Sequence, residues 1–272
     1  MSRPRTWLLG CGLGCLAPLV LLIILGVAVN FGGGKTIKTR QTIEETLGTA
    51  ADFTPWLDGR IPADRLERFL AVRRELAAQC ATFAAAAEEF AAMQELDETP
   101  VEEDPGTRKA LGTVFGAMRG MARIVANLNA YLLRRNQLLL EHEMSLAEWS
   151  FLHVVVYYGW LGHDPRSFVL EDDQDEARIY RQRVRGEVVA MIARHVADPH
   201  AASLNPDHAR WFGELQRLRE DPRRIPFRGA MPERLAASLA PFRDELAALW
   251  CEATDELDLA ITEREGLGFE HR

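Results

Sequence analysis

His153 is the side chain of this chain whose surroundings best suit chemistry. At 100° per residue, Trp149, His153, Tyr157 and Trp160 fall on one flank of a helix through WSFLHVVVYYGWL (149–161). An imidazole among aromatic rings can contact a small ligand or respond to pH, so these four residues form a candidate ligand wall. The same pattern also describes a hydrogen-bonded core histidine, because Phe151, Val155 and Tyr158 cover the opposite flank and a helix with no polar side is buried. Other metal-capable groups are Glu141-His142-Glu143 with Glu148, and His195 with His200. Neither set follows the His spacing of HExxH or the paired Glu-x-x-His of di-iron bundles. They read as charge at helix ends, and neither a metal nor another cofactor is expected.

No GxSxG, no Walker-type GxxxxGK[ST] and no strand-to-helix GxGxxG occurs, so hydrolase, nucleotide and dinucleotide chemistry has no motif behind it. No residue is named as catalytic. The cysteines, Cys11, Cys15, Cys80 and Cys251, lack zinc-type pairing. A Cys80–Cys251 disulfide is disfavoured on helical phase: Cys80 lies on an apolar stripe, whereas Cys251 falls about 150° from the Leu246–Leu257 side of one long final helix. Cys251 is therefore expected as an exposed free thiol.

The elements that position these groups begin with an anchor. Residues 6–34 carry no charge, and 7–31 (WLLGCGLGCLAPLVLLIILGVAVNF) would give roughly 37 Å of helix, enough to cross a hydrocarbon core. A cleaved signal peptide ending near Gly26-Val27-Ala28 is the competing reading, but its apolar region is usually shorter. Gly10 and Gly14 form a GxxxG that reads as ordinary small residues in a span. Arg3 and Arg5 before the span and Lys35, Lys38 and Arg40 after it leave the positive-inside rule nearly balanced. A short basic head with one hydrophobic segment favours an extracytoplasmic body. Beyond residue 40 the chain carries 27 basic against 40 acidic side chains, a balance that excludes nucleic acid as a partner.

The expected architecture is all-α: a short basic head (1–6), a transmembrane helix (7–31), a linker (32–61), an elongated multi-helix bundle with long antiparallel helices (62–265) and a polar tail (266–272). Leu66, Phe69, Leu70, Leu76, Cys80 and Phe83 mark a helix from Pro62 to about Leu96. Leu111, Val114, Met118, Met121, Val125, Leu128 and Leu132 form a coiled-coil type seam that resumes at Leu139; the two methionines read as core filling. Ser145 with Glu148 is a capping box opening the central helix. The acidic run 171–176 lacks the glycine and distal glutamate of a calcium loop and serves as the negative start of a helix over Asp175–Val196. Further helices are expected at Pro206–Arg219, after Pro232, and from about Phe242, where Asp244, Glu252 and Asp255 should face solvent. The functional expectation is a single-pass protein, held in lipid through 7–31, whose bundle is an interaction or assembly module for a protein partner or itself. The alternative is a sensor-like domain binding a small ligand beside 149–161.

Overall fold

The computed structural model describes residues 34–97, 126–165 and 174–259. The apolar stretch 7–31, most of the methionine-bearing seam, residues 171–173 of the acidic run and the tail 266–272 lie outside them. Among the described residues every regular element is helical, as the hydrophobic periodicity demands. No helix among them is long and apolar enough to cross a membrane.

Helix α1 covers 34–47, α2 Ala63–Asp97, α3 126–141 and α4 Leu146–His153. These are followed by α5 (Gln174–Ala197), α6 (Pro199–Leu204), α7 (His208–Glu220), α8 (Glu233–Leu239), α9 (Arg243–Ala248) and α10 (Asp255–Leu259). α2 and α3 run antiparallel: Phe83 meets Tyr131 with ring centroids 5.4 Å apart, Arg134 pairs with Glu75, and Arg68 reaches Glu143 at 2.7 Å. The stretch 32–61 is more than a tether. From residue 34 it is packed, with Ile43 and Ile61 in the core and Phe53 and Trp56 against it, and Arg194 holds the carbonyls of Ala50 and Phe53.

Ser145 caps α4 by accepting a hydrogen bond from the Glu148 backbone at 3.1 Å. The reciprocal half of the box is absent, because the Glu148 carboxylate is taken by Arg65. Beyond His153 the helix widens into a π-helical stretch, Val154–Trp160. Three consecutive valines, β-branched and crowded in a tight helix, begin it. From Trp149 to Gly159 every side chain except Ser150 is buried. Gly162, at φ +81°, ends the element in a conformation that favours glycine.

The central helix is covered by the loop 221–230. Glu214, wholly buried on α7, gathers Arg217, Arg224 and the Phe227 N–H. Phe227 adopts φ 62°, unusual for a bulky side chain, and sets its ring edge-on to Trp211 at 4.9 Å. The neighbouring Pro226 carbonyl lies so close to the central helix that a Cβ at Gly159 would come within 2.7 Å of it. Gly159→Ala is expected to cost about 1–3 kcal/mol by overpacking, read as a lower urea midpoint of the full chain in detergent. An unchanged midpoint would show that the loop yields.

The chain after residue 242 departs from expectation. A 3₁₀ turn, Ala240–Phe242, carries Pro241 and leads into α9, which stops at Ala248. Residues 249–251 are not helical, Glu252–Thr254 form another 3₁₀ turn, and only then does α10 begin. Leu246 and Leu257 are buried as expected, but so is Asp255, whose solvent-facing placement assumed an unbroken helix. The same break overturns the cysteine reading. Cys251, only 3% exposed, is joined to Cys80 by a disulfide with Cα atoms 5.8 Å apart.

Candidate functional site

One group of buried polar side chains converges on the segment 249–259. Arg73 lies on the apolar stripe of α2, between Phe69 and Leu76, and is 1% exposed. Its guanidinium donates to the Asp258 carboxylate at 2.5 Å and to the Leu249 carbonyl at 2.6 Å. It also stands 5.0 Å from the Tyr157 ring centre and 5.9 Å from that of Trp149, within cation–π range. Tyr131 from α3 donates to the other Asp258 oxygen. Arg135, one turn on, donates to the carbonyls of Leu257 and Asp258 at 2.7 and 3.0 Å and to Asn136 Oδ1. The Trp149 indole N–H reaches the Asp258 carbonyl at 2.6 Å.

A second carboxylate is held beside the first. Asp255 Oδ1 lies 3.0 Å from His153 Nε2 and accepts from the Tyr158 hydroxyl at 2.7 Å. With Asp255 as acceptor, the imidazole carries its proton on Nε2. His153 Nδ1, Tyr157 Oη and Asp255 Oδ2 are buried without a hydrogen-bond partner. Trp250 closes over the pair, 5.0 Å from Tyr157 and 6.1 Å from His153, and is itself stacked on His163 at 4.3 Å.

Electrostatics follow from this enclosure. Burial is the largest influence on Arg73 and opposes its charge, but the Asp258 carboxylate, with smaller contributions from Tyr157 and Tyr131, raises the guanidinium pKa on balance. Desolvation raises the Tyr131 phenol, with the Asp258 charge adding to it, and pushes Tyr157 up to about 12. Both phenols stay neutral across the physiological range, Tyr131 as a donor to Asp258. A His–Asp pair with a neighbouring tyrosine has the elements of a proton relay. Here His153 and Tyr158 both engage Asp255 of the chain's own segment.

The proposed wall is thus partly assembled. Trp149, His153 and Tyr157 lie together, and the chain's own Arg73 and Trp250 pack against them. Trp160 does not share their flank. It is half-buried under the Arg243 guanidinium, 5.0 Å away, because the π-helical stretch changes the phase after Val154. That change carries Tyr158, expected opposite His153, onto the same carboxylate. Arg73, Tyr131, Arg135, Trp250, Asp255 and Asp258 were not singled out from sequence. Their signal was present in the seams: Arg73 and Arg135 each occupy a position where the apolar spacing calls for a leucine.

The remaining candidates resolve into ion pairs and packing. Glu141 faces Arg134, Glu143 faces Arg68 and Glu148 faces Arg65; burial raises the Glu148 carboxyl despite Arg65. Among the described residues no cluster of three or more His, Cys, Asp or Glu could hold a metal ion. His200 is exposed, whereas His195 is buried between the Pro55 carbonyl and Asn205, with Trp211 4.1 Å from its ring. A cavity of about 240 Å³ lies beside the first turns of the central helix and reaches the buried segment, bordered by Arg40, Glu44, Arg135, Ser150, Glu187 and Asp258. Comparison with protein-family models, curated proteins and solved structures finds no match, so the functional reading rests on this geometry.

Two outcomes are expected. Asp258→Asn leaves Arg73 buried without its counter-charge and should cost about 3–5 kcal/mol. Arg73→Met combined with Asp258→Asn should cost less than the sum of the two single changes; additive losses would show that the pair is not coupled. His195 has its pKa lowered, chiefly by desolvation, so the unfolded chain takes up that proton first as pH falls. Stability from this site is complete above the unfolded value and is lost as pH drops from about 6.5 towards the folded one. His163, also lowered by burial, adds the same sign. His195→Gln, which keeps an acceptor for Asn205, should make Tm less steep between about pH 7 and 5; an unchanged slope would remove His195 from the account.

Proposed function

We propose that this chain is a single-pass membrane protein whose helical domain lies on the oxidising, extracytoplasmic side and works as an interaction or assembly module. The observation that carries the placement is the Cys80–Cys251 disulfide, since such bonds persist in oxidising compartments and are rare in the cytosol. It agrees with the short basic head before the apolar stretch 7–31. The assembly role draws on the use to which the polar groups are put. Arginines, tyrosines and a histidine at buried positions bind a peptide segment of the chain itself.

A second reading, binding of a small ligand beside the central helix, draws on the 240 Å³ cavity with its mixed charges. It predicts that filling the cavity by Ser150→Trp abolishes any ligand-induced rise in Tm.

The test of the main reading has two parts. Cells are acid-quenched, and free thiols of the denatured chain are tagged with a polyethylene glycol maleimide. The expected pattern is tagging of Cys11 and Cys15 alone before reduction, and of Cys80 and Cys251 as well after it. Tagging of Cys80 and Cys251 without reduction would place the body in a reducing compartment. Light scattering of the purified chain in detergent should then give a protein mass above the 30.6 kDa of one chain; a strict monomer would end the assembly reading.

A further inference from the structure

Two of the chain's three lysines, Lys35 and Lys38, lie at the start of α1 with Ile37 between them. Both are exposed, and neither has a carboxylate partner among the described residues; the nearby Arg40 is already paired with Glu44 at 2.9 Å. Ile37 is 48% exposed, and with Leu204 and Phe212 it makes up the large apolar side chains left outside among the described residues. An exposed isoleucine is ordinary by itself. Its position beside the apolar stretch 7–31 is not.

The other face of α1 belongs to the domain. Thr36 is 2% exposed, Ile43 is wholly buried in the core and Leu47 packs against it. Whatever holds the first turn of α1 therefore holds the body. The connection to the apolar stretch is short: residues 32–34 are three glycines, which reach at most about 11 Å fully extended. The headgroup layer on each side of a bilayer is itself roughly 5–7 Å thick. With 7–31 in the membrane, the first turn of α1 starts in that layer or just above it.

Charge points the same way. Beyond residue 40 the chain carries 27 basic against 40 acidic side chains, so the body is repelled by an anionic surface. Along α1 the sign changes, from Lys35 and Lys38 at the start to Glu44 and Glu45 in the last turn. A lysine stem lies along apolar surface while its ammonium stays with polar groups, and an apolar side chain flanked by such cations suits the membrane interface.

We propose that the first turn of α1 is a lipid-docking surface. Ile37 enters the interfacial layer of the bilayer that holds the anchor, and Lys35 and Lys38 bind the phosphates of its anionic phospholipids. This rests on the single-pass reading above and adds a lipid contact outside 7–31 that fixes how the body stands on the membrane.

The docking is read on the full-length chain with Cys11→Ala, Cys15→Ala and one added cysteine, Ile37→Cys or, as a reference on α6, Leu204→Cys. With Cys80 and Cys251 joined, the added thiol alone takes a nitrobenzoxadiazole label. The labelled chain is placed in nanodiscs of phosphatidylcholine and phosphatidylglycerol, part of the lipid bearing a nitroxide just below the headgroup. The label at 37 should emit to the blue and be quenched, and the label at 204 should stay unquenched. Adding Lys35→Glu and Lys38→Glu should lower the ratio of quenched to unquenched label at 37 at least about fivefold, the scale for one basic side chain at an anionic surface.

A chain that sodium carbonate strips from cell membranes loses the anchor reading and this proposal with it. A chain that resists carbonate, but whose label at 37 emits as in water without quenching, keeps its anchor and overturns the docking. Quenching that ignores the two charge reversals also overturns it, because the short connection alone then explains the depth. Blue emission without nitroxide quenching assigns the turn to a protein contact, such as a second copy, and rejects the lipid.

Discussion

The fold depends on burying the Asp258 carboxylate. Taking an isolated carboxylate out of water costs several kcal/mol even after relaxation, and the protein meets that cost with donors drawn from distant parts of the chain. Arg73 comes from α2, Tyr131 from α3 and the Trp149 N–H, to the Asp258 carbonyl, from α4. None of these helices could shift by an ångström without leaving a donor or an acceptor unsatisfied. The aliphatic core supplies most of the driving force. The carboxylate selects which packing of those helices is the native one.

That arrangement shows where sequence reading succeeds and where it stops. The start and end of α2, the Ser145 cap and the span of α5 were legible because local chemistry sets them: proline at a first turn, a serine oxygen for an orphan N–H, acid at a helix start. The final stretch was not legible. Phe242, Leu246, Leu249, Ala253 and Leu257 keep helical spacing, yet Asp255 and Asp258 are drawn inward by partners more than a hundred residues away in sequence, and the helix breaks to let them in. Periodicity records which face is apolar; it does not record a carboxylate with an arginine waiting for it. The disulfide was misjudged for the same reason, since the phase of Cys251 against Leu246 and Leu257, measured along an unbroken helix, has no meaning across three short pieces. The visible clue was an arginine in a leucine position, twice.

The ligand wall teaches a related lesson about phase. Trp149, His153 and Tyr157 meet as helical geometry requires. Trp160 leaves and Tyr158 arrives because hydrogen bonding beyond His153 becomes π-type, with the Leu161 N–H reaching the Val156 carbonyl five residues back. A run of valines hints at a helix under strain but does not announce this outcome. The site that results is occupied by the chain itself.

The π-helical stretch also sets a rule for how this chain can change. Its geometry is equivalent to one residue more than an α-helix would need between His153 and the loop at Gly162. Removing any single residue from Val154–Trp160 would let the ladder relax to the α form, rotate Tyr158 off Asp255 and Gly159 away from Pro226, and disturb two interfaces at once. Substitutions of similar volume inside the stretch disturb only their own neighbours. The element is therefore rigid in length, and relatives that preserve this core should keep the count between Ser145 and Gly162 constant.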